Sequence, residues 1–187
     1  ILPPNGTNPE DRWVAVTTQA VSRIEIDRRS GQRIFCMAVT SPRLAQGEPS
    51  TWSAAVDAIT SGYFGDSRRL FIVSAGNMAP EEYPAYPASN RLRSVESPAQ
   101  AWNALTVGAY TELTNIQAEV NRHFSPIAPA GGLSPYSTTS YMWEKNEWPV
   151  KPDIVMEGGN VGRQPSGTPV DVEDLAVLSL WHKPQER

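Results

Sequence analysis

Apolar positions recur along the chain in two rhythms. Between Trp13 and Arg29 ("WVAVTTQAVSRIEIDRR"), Val16, Ala20, Val21 and Ile24 fall at helical spacing and predict a helix, which Gly31 then breaks. Residues 33–39 ("RIFCMAV") are a short unbroken apolar run, the pattern of a strand buried on both faces. Residues 40–49 ("TSPRLAQGEP") read as a loop. A second helix is predicted over residues 50–64, with Ser50 or Thr51 as N-cap and Trp52, Ala55, Val56 and Ile59 as its apolar face. Residues 68–76 ("RRLFIVSAG") predict the next buried strand, and a loop rich in Pro and Tyr spans 78–96. A short helical turn and a strand follow over 97–110, then an irregular stretch over 112–148. Two more strands are expected over 151–156 ("KPDIVM") and 174–181 ("DLAVLSLW"). Helices alternating with near-continuous apolar strands predict an α/β fold: three layers, with a mostly parallel β-sheet flanked by helices.

Composition changes this picture little. The chain has 187 residues, enough for one domain with a sizeable core. Seventeen prolines and thirteen glycines predict long ordered loops. A net charge of -4 argues against general nucleic-acid binding, which wants a basic face. No apolar run approaches the length of a membrane-spanning helix. The single cysteine, Cys36, lies inside an apolar run and reads as a small buried hydrophobe. Asn5 to Thr7 fit a glycosylation sequon, a triplet frequent by chance. The charged stretches 27–33 and 63–69 read as solvated turns.

The chemistry begins where the strand of residues 70–74 runs into Ala75, Gly76 and Asn77. Standing alone, this is a strand followed by a turn. It does not stand alone. In order, the chain shows "MAVTSPRLAQGEPSTWSAAVDAI", "RLFIVSAGN", "SPAQAWNALTVGA", "LSPYSTTS" and "VKPDIVMEGG". This succession, from about Arg33 to Gly159, resembles the subtilisin-like serine proteases, the subtilases. The resemblance implies that Asn77 is the oxyanion-hole asparagine: a neutral amide N–H held in place stabilises the charge that develops on an attacked carbonyl. It also implies a substrate pocket with two walls, Val39, Thr40 and Ser41 on one side and Ser74, Ala75 and Gly76 on the other. An extended peptide would add to the first wall as an extra strand. Two departures from the family pattern stand out. Ala38-Val39-Thr40 replaces the usual Ser-Leu-Gly, and Met156-Glu157-Gly158 replaces the usual Ala-Pro-Gly. Asp153 is expected to be structural.

The family's triad needs Asp, then His, then Ser, with the asparagine between the last two. No histidine precedes Asn77; the two present are His123 and His182, neither in a His-Gly-Thr context. No Gly-Thr-Ser-x-Ala follows "KPDIV". The expectation is therefore residues 1–187 as the central part of one catalytic domain, truncated at both ends and inactive alone. The competing expectation is a non-catalytic α/β interaction module on the same scaffold. A self-contained triad of His123 with Ser125, Ser134 or Ser137 and Asp153 would lie in loop-like sequence without a nucleophile elbow. No metal site is expected, and calcium, common in subtilases, cannot be placed. The partner implied for the intact enzyme is a peptide or protein substrate. Exposed sheet edges predict self-association of the fragment or a partly disordered rim.

Overall fold

The computed structural model describes residues 8–27, 31–44, 46–63, 68–143 and 147–178. Thirteen regular elements position the site. They are α1 (Trp13–Asp27), β1 (Ile34–Met37), β2 (Ser41–Leu44), α2 (Thr51–Ser61), β3 (Leu70–Ser74), α3 (Ala88–Leu92), β4 (Glu96–Ser97), β5 (Leu105–Thr111), β6 (Ser125–Pro126), β7 (Gly132–Leu133), β8 (Ile154–Glu157), β9 (Gly162–Arg163) and β10 (Pro169–Val170). Short 3-10 turns sit between them.

The main sheet is mixed but mostly parallel. β1, β3, β5 and β8 run parallel side by side, and β7 pairs antiparallel with the end of β5. Between β1 and β3 the chain crosses over through α2, whose ends are well defined. Ser50 Oγ accepts the Ser53 N–H at 3.0 Å and Ser53 Oγ accepts the Ser50 N–H at 2.9 Å, a reciprocal cap. Gly62 closes the helix in the left-handed region at φ 79°. Trp52, Val56 and Ile59 are buried as expected of the apolar face.

Parallel register sets which residues share a face. Ile34, Cys36, Leu70 and Ile72 lie on one side of β1 and β3; Phe35, Met37, Phe71 and Val73 lie on the other. The second set packs beneath the helices with Val21, Trp52, Val56 and Ile59. Phe35 stacks on Phe71 at 5.0 Å between centroids, and Trp13 meets Trp52 at the same separation. Phe71 and Trp52 are buried and Phe35 and Trp13 partly so; full burial of a large apolar side chain contributes about 1.5–3 kcal/mol. α1 and α2 both join this one cluster, so these two helices cover one face of the sheet. The opposite face is apolar and open: Ile34 is 67% exposed and Met156 60%.

Several expectations are corrected here. β1 is not buried on both faces; it alternates, because only one side meets helices. Cys36 is consequently exposed rather than buried. Ile24 is exposed, and Trp13 and Val14 instead join Val21 against the core. Residues 41–44, read as loop, form β2 and pair antiparallel with β4. The Pro- and Tyr-rich stretch contains α3 and a 3-10 turn. The expected last strand is instead a 3-10 turn at Glu173–Leu175; its residues 179–181 lie outside the described residues, as do the sequon and His182. Arg69 is no solvated turn residue but an ion-pair partner of Glu25 on α1.

Near the sheet's end Glu157 is held as a carboxylate. Burial pushes its carboxyl up, but the N–H groups of Glu112 and Gly159, with the Thr111 hydroxyl and the Gly158 N–H, outweigh this and leave it below the ordinary 4.5. A depressed folded value adds stability above the unfolded pKa and loses it as pH falls through the folded one. Wild type is therefore more stable than Glu157→Gln at neutral pH, and the gap closes on acidification below about pH 4; urea midpoints measured across pH check this, and a constant gap contradicts it. Ser50→Ala removes the α2 cap and lowers stability by about 1 kcal/mol, measurable by denaturant unfolding.

Candidate functional site

β3 leads to the site. Its extension, Ala75, is tied down on both sides. The Ala75 N–H donates to the Val107 carbonyl at 2.9 Å, and the Ala75 carbonyl accepts the Glu96 N–H and the Thr138 hydroxyl, each at 2.9 Å. Gly76 then turns the chain at φ 115°, a backbone conformation that suits glycine. Met78 anchors the far side: it is buried with Tyr83, Ile127 and Val161, and its N–H donates to the Tyr136 carbonyl at 3.2 Å. Burial, with Asp171 adding, pushes the Tyr136 phenol up to about 12, so it stays neutral and structural.

Asn77 stands between these anchors and is exposed. Among the described residues no hydrogen bond engages its side-chain amide. A rigid backbone on both sides thus presents a free polar side chain at the surface.

The residues expected as pocket walls are brought to one region, but they are not adjacent strands. Val39 is exposed, Thr40 half-buried, and Ser41 buried where β2 begins. β4 lies between the walls. Ser41 pairs with Ser97, while the Glu96 N–H bonds to Ala75. The two strand ends therefore face each other across Glu96. Its carboxylate Oε2 accepts the Thr40 hydroxyl at 2.6 Å, and Oε1 accepts from Arg93 at 3.3 Å.

Sequence reasoning missed Glu96. Its only signal was a lone carboxylate among the apolar and small residues of "SVESPAQA", just before the strand that became β5.

Asp153 is structural, as expected. It accepts the Thr106 N–H at 2.6 Å and the Lys151 ammonium at 2.8 Å, and Lys151 reaches on to the Ala104 carbonyl at 2.9 Å. The alternative triad does not assemble. Ser134 spends its hydroxyl on the Gly159 carbonyl and Ser137 on the Thr138 carbonyl, while exposed His123 lies against Phe124. Among the described residues there is no cluster of three or more side chains suited to a metal ion, and no helix is long and apolar enough to cross a membrane.

Gly76 yields a direct test of this geometry. An added Cβ would lie 2.6 Å from Glu96 Cγ, in a backbone conformation L-residues resist. Gly76→Ala is expected to cost about 2–3 kcal/mol, read as a lowered denaturant midpoint; a change under about 0.5 kcal/mol contradicts the packing described.

Comparison with known proteins agrees with the order of motifs. Curated proteins return no match. A family profile, the Subtilase family of S8 peptidases, matches residues 1–184, nearly the whole chain. With its α/β sheet and its ordered motifs, the chain belongs to the subtilase family, a family of serine peptidases.

Proposed function

We propose that this chain supplies the oxyanion-stabilising and substrate-binding part of a serine endopeptidase. The observation that carries this is Asn77, exposed and uncommitted between the anchored Ala75 and Met78. When a serine attacks a peptide carbonyl, the oxygen becomes anionic. An amide N–H already fixed in position stabilises it without reorganising, and this is commonly the largest electrostatic contribution to acyl transfer. The serine's own N–H would be the second donor, and the reaction would pass through an acyl-enzyme. Val39, Thr40 and Ser41 would receive the extended substrate by main-chain hydrogen bonds, opposite Ser74, Ala75 and Gly76.

The base, its orienting carboxylate and the nucleophile would come from sequence other than these 187 residues, since no residue among them occupies the corresponding motifs. That same absence favours the second reading, a non-catalytic interaction module on a subtilase scaffold. The two readings differ in the parent gene: the first expects His-Gly-Thr before and Thr-Ser-x-Ala after the present motifs, the second neither.

Residues 1–187 alone are expected not to hydrolyse casein. The full-length gene product is expected to do so, with turnover abolished by a serine-directed phosphonate. Phosphonate-sensitive turnover by the 187-residue chain would refute the division of labour. A full-length product with neither turnover nor phosphonate labelling would favour the module.

The open apolar face of the sheet supports one further expectation. In isolation the chain associates with itself through Ile34, Leu70, Ile154 and Met156. Light scattering checks this, and a compact monomer that binds no apolar dye contradicts it.

A further inference from the structure

The turn that presents Asn77 is held at both ends by one loop, residues 134–138. The Thr138 hydroxyl donates to the Ala75 carbonyl at 2.9 Å, and the Tyr136 carbonyl accepts the Met78 N–H at 3.2 Å. One amide of α3 gathers that loop from inside. Asn90, 1% exposed, donates from Nδ2 to three of its carbonyls: Ser134 at 3.3 Å, Pro135 at 3.2 Å and Ser137 at 2.9 Å. The intervening carbonyl, that of Tyr136, goes to Met78 instead. Asn90 is itself tied back, because its own carbonyl accepts the Thr139 hydroxyl at 3.0 Å. The Tyr136 ring closes the far side: it meets Tyr83 edge-on at 5.5 Å, and its hydroxyl donates to the Asn160 carbonyl at 3.3 Å.

We propose that Asn90 is a positioning residue for the oxyanion asparagine, acting through the loop that grips both ends of the Asn77 turn. The inference rests on the peptidase reading above and deepens it. A side-chain amide offers two N–H donors and no charge, so it can gather several buried carbonyls without desolvating an ion. Carbonyl dipoles that converge on one point repel each other unless a donor stands there. Without Asn90, three buried carbonyls lose a donor, and the turn they belong to relaxes. Tyr136 and Thr138 move with it, so both holds on the Asn77 turn loosen together. Asn90 touches neither substrate nor reacting atoms; it acts only through where Asn77 stands. A displaced donor loses most in the transition state, where the charge it answers is greatest.

The test is a double-mutant cycle in the full-length gene product: wild type, Asn90→Ala, Asn77→Ala and both together. Turnover of one peptide ester is measured per folded molecule, the folded fraction being read from urea unfolding in the assay buffer. Asn90→Ala is expected to lower kcat about tenfold and to leave KM within about twofold. In the Asn77→Ala background the same change is expected to alter kcat by less than about twofold, because the group it positions is gone. A residue that serves folding alone would lower activity by the same factor in both backgrounds, and that result overturns the proposal. So does an unchanged kcat in Asn90→Ala, or an effect confined to KM. Should Asn90→Ala not fold, Thr139→Val, which deletes the hydroxyl that holds the Asn90 carbonyl, takes its place in the cycle. Its expected fall in kcat is about threefold and vanishes in the Asn77→Ala background; no fall, or an equal fall in both, overturns the proposal. All these outcomes leave the peptidase reading standing. Wild-type turnover in Asn77→Ala removes the oxyanion assignment, and the role of Asn90 with it. Absence of wild-type turnover on casein and peptide esters, together with absence of phosphonate labelling, overturns the peptidase reading itself and this proposal with it.

Discussion

Three hydrogen bonds converge on one residue, Ala75. Its N–H is held by β5 through Val107, and its carbonyl by β4 through Glu96 and by the Thr138 hydroxyl. Each alone is worth about 1 kcal/mol. Their consequence is geometric. They fix the direction in which β3 leaves the sheet, and so the place where Gly76 turns and where Asn77 emerges. A flexible strand end would present the same amide over a range of positions. Oriented donors act on developing charge only when they need not reorganise.

The site is assembled from segments distant in sequence, and the parallel sheet is what brings them together. β3 and β5 run in register up to Ser74 and Val107, which brings the Ala75 N–H onto the Val107 carbonyl, and the pairing of β2 with β4 lays Glu96 beside Thr40, the residue before β2. Beneath, the cluster around Phe71, Val73 and Val56 locks β3 against α2. On the other side of the turn, Met78 sits in a second cluster with Tyr83, Ile127 and Val161. Asn77 thus lies at the seam between two packed units, where the main chain is constrained on both sides and the side-chain amide, with no hydrogen bond to the described residues, keeps its donors for a bound group.

Much of this was legible in the residues. The helix of residues 51–61 was marked by its cap serine and by Trp52, Val56 and Ile59 at helical spacing, a local signal that tertiary structure had no reason to override. The strand before Asn77 was legible for the same reason. Burial was read less well. An unbroken apolar run such as "RIFCMAV" states only that no position is polar; whether each face is covered depends on what packs there, and the outward face with Ile34 and Cys36 is bare among the described residues. Short strands such as β2 and β4 escaped because two to four residues carry no periodicity, and their pairing joins positions more than fifty residues apart. Glu96 escaped with them: a carboxylate in a turn-rich stretch looks solvated until a partner across the fold, here Thr40, is in view.

The central claim is that the Asn77 amide stabilises charge that exists only in the transition state. Steady-state kinetics of Asn77→Ala in the full-length gene product test it most directly. A donor used only in the transition state lowers kcat and kcat/KM together and leaves KM nearly unchanged. The expected fall is about 10²–10³-fold, the loss that removing one such donor causes in subtilisin itself. A turnover number within about twofold of wild type, or a loss confined to KM, would contradict the account.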